Sequence, residues 1–502
     1  MKLTYLAHSS FLIECGAKKL LFDPWLRGPA YFKQWFQWPL PPKDWEKLQI
    51  DGILISHGHE DHLHIPTLKL LDKSAVVFFP FQWRAGIKPF LNLLGFSEIR
   101  EAVTFKSYFL GEIKITYLGY SLESVIVVEY GGEVLVNIND ALNSNHENAT
   151  NYLLSKIKLR WPKIDYLLSG WSGASYFPNQ VRYPGKNDRE IGQLREQYFA
   201  HNFFRFTHFL EPRFSIPFAP GFVLLRNENR WINHIKFPRE KSEQYYKDHF
   251  DPPAKVTFLI SYPGDVIENG VLERRSELHG IESEMQYELA YRNYKNESEE
   301  CNSIVNISED QVVRLIKELT YWMNCNKVLY HERVLEDAEF GIQLTDVPEP
   351  SFLNVLWDGK RFSVSRKSVA ASSNKLLIRT EGQKLLYALS KVWGGDVLSI
   401  GYGVTVDVFE ESTLEKNLDI VCIRLITRYP MAREDLRKFP FRAVKFFASN
   451  PKLTALWIRQ KVLLKPYVNR FPFNERDHWL TYNKCDLCAV CKMPEVNLLA
   501  YR

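Results

Sequence analysis

Ile55-Ser56-His57-Gly58-His59-Glu60-Asp61-His62-Leu63-His64 is the stretch on which the fold turns. It overlaps an apolar run, Gly52-Ile53-Leu54-Ile55, that reads as a strand, so the histidines leave a strand end on a loop. His57, His59, Asp61 and His62 fall at i, i+2, i+4 and i+5, a spacing that lets their side chains converge on one point. Neutral imidazoles and a carboxylate are donors that zinc and iron accept. A polar loop carrying histidines by chance is the alternative, and four of the chain's 13 histidines within eight residues count against it. The four are therefore read as metal ligands. His64 lies outside the spacing and reads as a surface histidine.

Outward from that loop the chain alternates like paired strands. Lys2–Leu6, Ser10–Glu14 and Lys19–Phe22 precede it. Ala75–Phe79, Lys114–Tyr117, Val125–Tyr130, Glu133–Asn137, Asp165–Leu168 and Phe214–Pro217 follow it. Tyr130-Gly131-Gly132-Glu133 joins two of these as a tight hairpin. Helices are expected over 66–73, 146–159 and 188–208, so about the first 225 residues read as two sheets between helices. Asp23-Pro24 stops the third strand, because proline cannot donate to a ladder. The proline-rich segment from Trp25 to Trp45 is too long for a simple connection, and its further tryptophans at 35 and 38 mark it as a packed lid.

At 502 residues, 45% apolar and 25% charged, the chain has a globular composition and exceeds one ordinary core. A net charge of +5 is too small to imply nucleic acid by itself. The first residues lack the apolar region of a signal peptide, and no apolar run reaches a bilayer span. Seven cysteines, isolated at 15, 301, 325 and 422 with three more near the C-terminus, do not form a disulfide framework. The expectation is a cytoplasmic protein with no transmembrane segment.

Further motifs carry a resemblance. Asp23-Pro24-Trp25-Leu26-Arg27-Gly28-Pro29-Ala30, the His57–His62 run continuing into Leu63-x-x-Pro66-Thr67-Leu68-Lys69, Val128-Glu129-Tyr130, Gly173-Ala174-Ser175 and Pro217-Phe218-Ala219 recur in one order over about residues 1–235. This half of the chain resembles the metallo-β-lactamase superfamily, most of all the lactamase-type part of the CMP-N-acetylneuraminate hydroxylases. The resemblance implies an α/β (α+β) protein built on a metallo-β-lactamase-like αββα sandwich over 1–235. A helical, polar extension over 236–345, a small α/β unit over 346–430 and a basic, aromatic tail over 431–502 follow.

It also implies a metalloenzyme. Asp140, closing Asn137-Ile138-Asn139-Asp140 at a strand end, stands where the superfamily places its bridging aspartate and becomes a fifth metal ligand; a turn residue is the alternative. Asp61, His62 and His8 are the catalytic candidates, although a structural role for His8 is equally open. Arg27 is a candidate contact for an anionic substrate. The chain departs from the family in three respects: no pair of cysteine–histidine motifs supplies a Rieske centre, no histidine stands in Leu118–Glu123, and Pro217-Phe218-Ala219 lacks the last superfamily histidine. Water, Glu123 or another group would fill the open positions.

Cys485-Asp486-Leu487-Cys488-Ala489-Val490-Cys491 spaces thiols every third residue, as ferredoxin runs do, but Lys492-Met493-Pro494 interrupts the pattern. With a fourth ligand from Cys301, Cys325, Cys422 or His478 it would hold zinc or an iron–sulfur cluster; a reduced tail is the alternative. Residues 431–484 carry 12 Lys and Arg against four acids. That face suits an acidic electron-transfer partner, a membrane surface or nucleic acid, and more commonly a docked helix with solvated charges.

Three functions are thus in play. The favoured one is an iron-dependent oxygenase acting on a small polar or nucleotide-sugar-like molecule, with one or two divalent metal ions. The second is a hydrolase using metal-bound hydroxide, with zinc, on an ester, lactone or phosphodiester. The third is a non-catalytic binding protein.

Overall fold

The computed structural model describes residues 1–82, 87–119, 123–143, 147–250, 255–348, 351–371, 373–392, 394–410, 412–415, 418–428 and 440–458. Its strands begin with Lys2–Ala7 (β1), Ser10–Cys15 (β2), Lys18–Phe22 (β3), Phe36–Gln37 (β4), Gly52–Leu54 (β5), Val76–Pro80 (β6) and Ile99–Ala102 (β7). Ser107–Leu110 (β8), Ile113–Gly119 (β9), Ser124–Tyr130 (β10), Glu133–Asn139 (β11), Tyr166–Gly170 (β12) and Val181–Arg182 (β13) follow. Phe214–Phe218 (β14), Phe222–Val223 (β15), Thr257–Phe258 (β16), Val266–Glu268 (β17) and Val271–Glu273 (β18) complete this half.

Two sheets form a sandwich. The first has the order β18-β17-β1-β2-β3-β5-β6-β7, the second β16-β14-β12-β11-β10-β9-β8. A period of two sorts the side chains. Leu20 and Phe22, Leu54, Phe78, Ile126 and Val128, and Tyr166 and Leu168 fill the layer between the sheets. Their neighbours turn outward: Leu21, Ile53, Val77 and Phe79 pack under Leu68 and Leu91 of helices Ile65–Leu70 and Ile87–Leu93. Val125, Val127, Val136 and Leu167 pack under helices Glu147–Arg160 and Asp188–Leu210. Strands buried on both faces therefore read as nearly continuous apolar runs, and each large side chain contributes about 1.5–3 kcal/mol by its burial. The αββα expectation holds.

Residues beyond the expected boundary at 235 also join the two sheets. Val266–Glu268 pairs with β1, Val271–Glu273 extends that hairpin, and Thr257–Phe258 pairs with β14. These strands are two or three residues long, too short for alternation to reveal. The polar extension thus begins by finishing both sheets, and only then turns helical through Ser283–Asn293, Lys295–Asn302 and Glu309–Asn326.

A third sheet contains β13, Phe340–Leu344 (β19), Ser351–Trp357 (β20), Phe362–Lys367 (β21), Leu376–Thr380 (β22) and Thr405–Val408 (β23), in the order β13-β23-β22-β19-β20-β21. It starts before the expected residue 346 and takes one strand from the first half. Helix Glu309–Asn326 lays Val312, Leu315, Leu319 and Met323 into its core. A capping box starts that helix: Gln311 N–H donates to Ser308 Oγ, and Ser308 N–H donates back to Gln311 Oε1.

The segment from Trp25 to Trp45 packs as a lid. Trp25, Trp35 and Trp45 are buried, and Phe36–Gln37 pairs with Phe222–Val223. Of the basic tail, helices Pro440–Ser449 and Pro451–Ile458 lie against the sandwich through Arg442 on Glu101 and Leu453 among the outer helices. Cys485, Cys488, Cys491 and His478 lie outside the described residues. Among the described residues, no helix is long and apolar enough to cross a membrane.

Candidate metal centre

The ligand loop leaves the C-terminal end of parallel strand β5, beside the ends of β11, β12 and β14, which carry Asp140, Ser172 and Ala219. Ligand sites gather at that edge of open α/β sheets. The loop closes on itself through His62 N–H and Leu63 N–H, both donating to His59 O.

Two groups of three result, His57 with His59 and Asp140, and His8 with Asp61 and His62. Within each group the candidate donor atoms lie within 4.8 Å of one another. His57 Nε2 is 2.8 Å from His59 Nδ1 and 3.8 Å from Asp140 Oδ2. His62 Nε2 stands between the groups, 3.1 Å from Asp61 Oδ2 and 3.3 Å from Asp140 Oδ2. Asp140 thus faces both sides. His62 Nε2 is buried with no aligned hydrogen-bond partner among the described residues, only the two carboxylates beside it, a position that an ion could take. The donor set and this orphaned atom fit one or two divalent ions.

Buried partners aim the rings. Ser56 N–H donates to Asp23 Oδ1 at 2.7 Å, and Ser56 Oγ donates to Asp23 Oδ2 at 2.7 Å. The hydroxyl proton being spent there, Ser56 Oγ accepts from His57 Nδ1 at 2.9 Å, which leaves His57 Nε2 as the unprotonated nitrogen, facing His59 Nδ1. His62 Nδ1 lies 3.3 Å from Asp23 Oδ2 and 3.1 Å from Asn139 Nδ2. Carboxylates behind ligand imidazoles fix tautomer and orientation in this manner. His8 Nδ1 accepts from Gly221 N–H at 2.9 Å, so Nε2 is the nitrogen turned towards Asp61 Oδ2 at 2.9 Å and the one that would meet an ion.

The electrostatics call for a cation. Burial pushes the Asp61 carboxyl up, but the His62 and His8 imidazoles outweigh it and hold it well below the carboxylate range. Burial opposes charge on His62, yet Asp61 and Asp140 outweigh it and raise that imidazole well above the histidine range. Burial, followed by His62 and His59, drives His57 well below that range, and burial also lowers His8. Protonated His62 is the counter-charge to the carboxylates, a place that a divalent ion can take.

All five sequence-derived ligands come together, and His8 joins them. The surface reading of His64 is corrected: its ring is fully buried beside Trp25, and Nδ1 caps helix Ile65–Leu70 by accepting from Thr67. Arg27 stays exposed and pairs with Glu46 at 3.4 Å, away from the pocket. Sequence reasoning missed Tyr31, whose hydroxyl donates to Asp61 Oδ1, and the Asp23–Ser56–Asn139 cluster. Asp23-Pro24 was the available signal, a carboxylate at a strand end whose proline drew the attention.

A cavity of about 230 Å³ opens onto His8, His59, Asp61 and Asp140 and is walled by Trp35, Phe199 and Phe222 with Glu123 at its edge.

Residues 2–149 match the β-lactamase superfamily domain. Over 301 residues the chain is 28% identical to the inactive cytidine monophosphate-N-acetylneuraminic acid hydroxylase of Homo sapiens, an overlap of 56% of this chain and 57% of that protein. Over 265 residues it is 28% identical to the Mus musculus hydroxylase, covering 48% of this chain and 43% of the relative. The chain spans about half the length of the curated relatives it matches. Among solved structures, CmlA, a diiron β-hydroxylase from Streptomyces venezuelae, aligns with a TM-score of 0.31 and 18% identity over 44% of this chain and 45% of that one. An isothiocyanate hydrolase from Delia radicum gut bacteria aligns with a TM-score of 0.36 and 14% identity over 53% and 98%. Residues 2–149 thus match the β-lactamase superfamily domain, and about half of the chain is similar in sequence to cytidine monophosphate-N-acetylneuraminic acid hydroxylases.

Proposed function

We propose that the protein is an iron-dependent oxygenase acting on a small polar or nucleotide-sugar-like molecule. The observation that carries this reading is the make-up of the two groups: each offers two imidazoles and one carboxylate, His57, His59 and Asp140 on one side, His8, His62 and Asp61 on the other. Two histidines and a carboxylate with open positions are the donor set of non-haem iron oxygenases. The same set also serves zinc in hydrolases. Similarity over about half the chain to proteins named as hydroxylases supports a redox-active metal, for which iron is the choice here.

Iron bound there supplies dioxygen activation; the chain supplies the rest. Asp140 faces both groups and would hold two ions in register. Asp23, through Ser56 and His62, keeps the rings aimed. Trp35, Phe199 and Phe222 wall the cavity and would give a substrate apolar contacts beside the two groups. The part of the substrate that enters is uncharged, since these walls give it apolar contacts. Electrons come from a separate carrier protein or from a cluster at Cys485, Cys488 and Cys491.

The test is the metal that supports turnover. Iron-loaded protein should consume dioxygen with reductant and substrate, and zinc-loaded protein should not. Zinc-supported cleavage of phosphodiesters or lactones without dioxygen would establish the hydrolase instead.

A further inference from the structure

Three consecutive non-glycine residues, Tyr31, Phe32 and Lys33, sit in the left-handed backbone region at φ 53°, 57° and 60°. Such a conformation is unfavourable for residues with a Cβ and persists where surroundings enforce it, often at functional sites. Here the third sheet's unit enforces it. Gln34 Nε2 donates to Tyr31 O at 2.9 Å and to Val397 O at 2.8 Å. Gly401 leaves the room, since a Cβ there would fall 2.7 Å from Tyr31 Cβ.

The strained turn delivers one hydroxyl. Tyr31 OH donates to Asp61 Oδ1, the oxygen left over when Oδ2 faces His8 and His62. The buried Tyr31 ring lies edge-on to Trp35 with centroids 4.7 Å apart, and Trp35 lies 6.4 Å from Trp25. Trp35 is also stacked on Phe222 of the cavity wall at 3.8 Å. Its indole N–H is buried and has no hydrogen-bond partner among the described residues.

We propose that Tyr31 and Trp35 form a one-electron relay into the metal pocket, a role that rests on the oxygenase reading above. The oxidant is iron in the pocket after reaction with dioxygen or peroxide in the absence of substrate. It takes one electron from the Tyr31 ring while the phenolic proton passes to Asp61 Oδ1. Tyr31 becomes a neutral phenoxyl radical, and the oxidant is reduced by one electron. Trp35 then returns one electron to Tyr31, which recovers its proton from Asp61. The indole cation keeps its N–H, because no acceptor among the described residues faces it. The relay draws oxidising equivalents away from the ligand histidines and onto the lid.

Radical detection tests this directly. Iron-loaded protein prepared without oxygen is mixed with hydrogen peroxide, frozen rapidly and examined by EPR, with iron content and circular dichroism measured alongside. A tyrosyl signal that narrows with ring-deuterated tyrosine, disappears in Tyr31→Phe and outlives the wild-type signal in Trp35→Phe is expected. A tyrosine that merely holds Asp61 would give no such signal. The same radical in Tyr31→Phe, or no radical in protein whose iron has been oxidised, overturns the relay. Peptide mass mapping keeps the question open to refutation should Tyr31→Phe fail to fold: wild-type protein oxidised at the ligand histidines with Trp35 and Trp25 intact would also overturn it. Iron that does not bind, or binds and is not oxidised, overturns the oxygenase reading and the relay together, and the iron measurement separates that outcome from failure of the relay alone.

Discussion

His8 and Asp61 meet at 2.9 Å across 53 positions of sequence, His8 from the end of β1 and Asp61 from the ligand loop. Gly221 fixes this meeting: its N–H holds His8 Nδ1, and a Cβ at that position would come within 2.8 Å of the His8 backbone. Pro217-Phe218-Ala219 supplies no late histidine, and an imidazole from the first strand stands beside Asp61 and His62 instead.

The two groups should lose metal separately. Replacing His57 and His59 together by alanine is expected to empty one position, and His8→Ala the other. Metal analysis of reconstituted protein checks this, with circular dichroism reporting the fold. Unchanged metal content in the double variant would refute the ligand assignment; unchanged content in His8→Ala would return His8 to a structural role.

Gly401→Ala should destabilise the protein by about 1–3 kcal/mol, the usual consequence of overpacking a filled site. The new Cβ would meet Tyr31 Cβ at 2.7 Å, Gln34 Nε2 at 2.8 Å and Val397 O at 2.8 Å. Thermal or denaturant unfolding provides the measure. An unchanged midpoint would show that the lid has slack against the third sheet's unit.

Acid should weaken the fold through His201. Burial, then Arg205 and His249, lowers its imidazole to about 3. The folded-state value is below the unfolded value of about 6.5, so the folded protein binds fewer protons between the two. This contribution to stability is complete above about pH 6.5 and is lost as pH falls towards about 3, at up to about 1.4 kcal/mol per pH unit. His201 is stacked on Phe250, which makes His201→Phe a reasonable replacement. The fall in urea midpoint from about pH 7 to about pH 5 should be smaller in that variant. An equal fall would place the acid sensitivity elsewhere.

The cysteine run gives a spectroscopic prediction. If Cys485, Cys488 and Cys491 hold an iron–sulfur cluster, anaerobically purified protein should show charge-transfer absorption that a triple serine variant lacks. A colourless protein with zinc at these thiols would make the run structural and leave electron supply to a partner.

The convergence of His57, His59, Asp61, His62 and Asp140 was legible because metal chemistry restricts residue type and spacing at once, and the sandwich because strands buried on both faces write long apolar runs. Short strands such as Thr257–Phe258 and Val266–Glu268 left no period to read. His64 misled because the residue type says nothing of burial: Trp25 and Thr67, which enclose it, arrive from other parts of the chain or the next helix. Tyr31 escaped notice for a related reason, since its link to Asp61 depends on a left-handed turn and on room left by Gly401.

Val181–Arg182 pairs with Val406 and Asp407 as the edge strand of the third sheet. During synthesis at about 5–20 residues per second, this strand leaves the ribosome roughly ten to fifty seconds before its partner exists. Through that interval the nascent chain carries an unsatisfied strand edge, the kind of surface on which chains pair wrongly with one another. Slower synthesis between these two segments is therefore expected to lengthen that exposure.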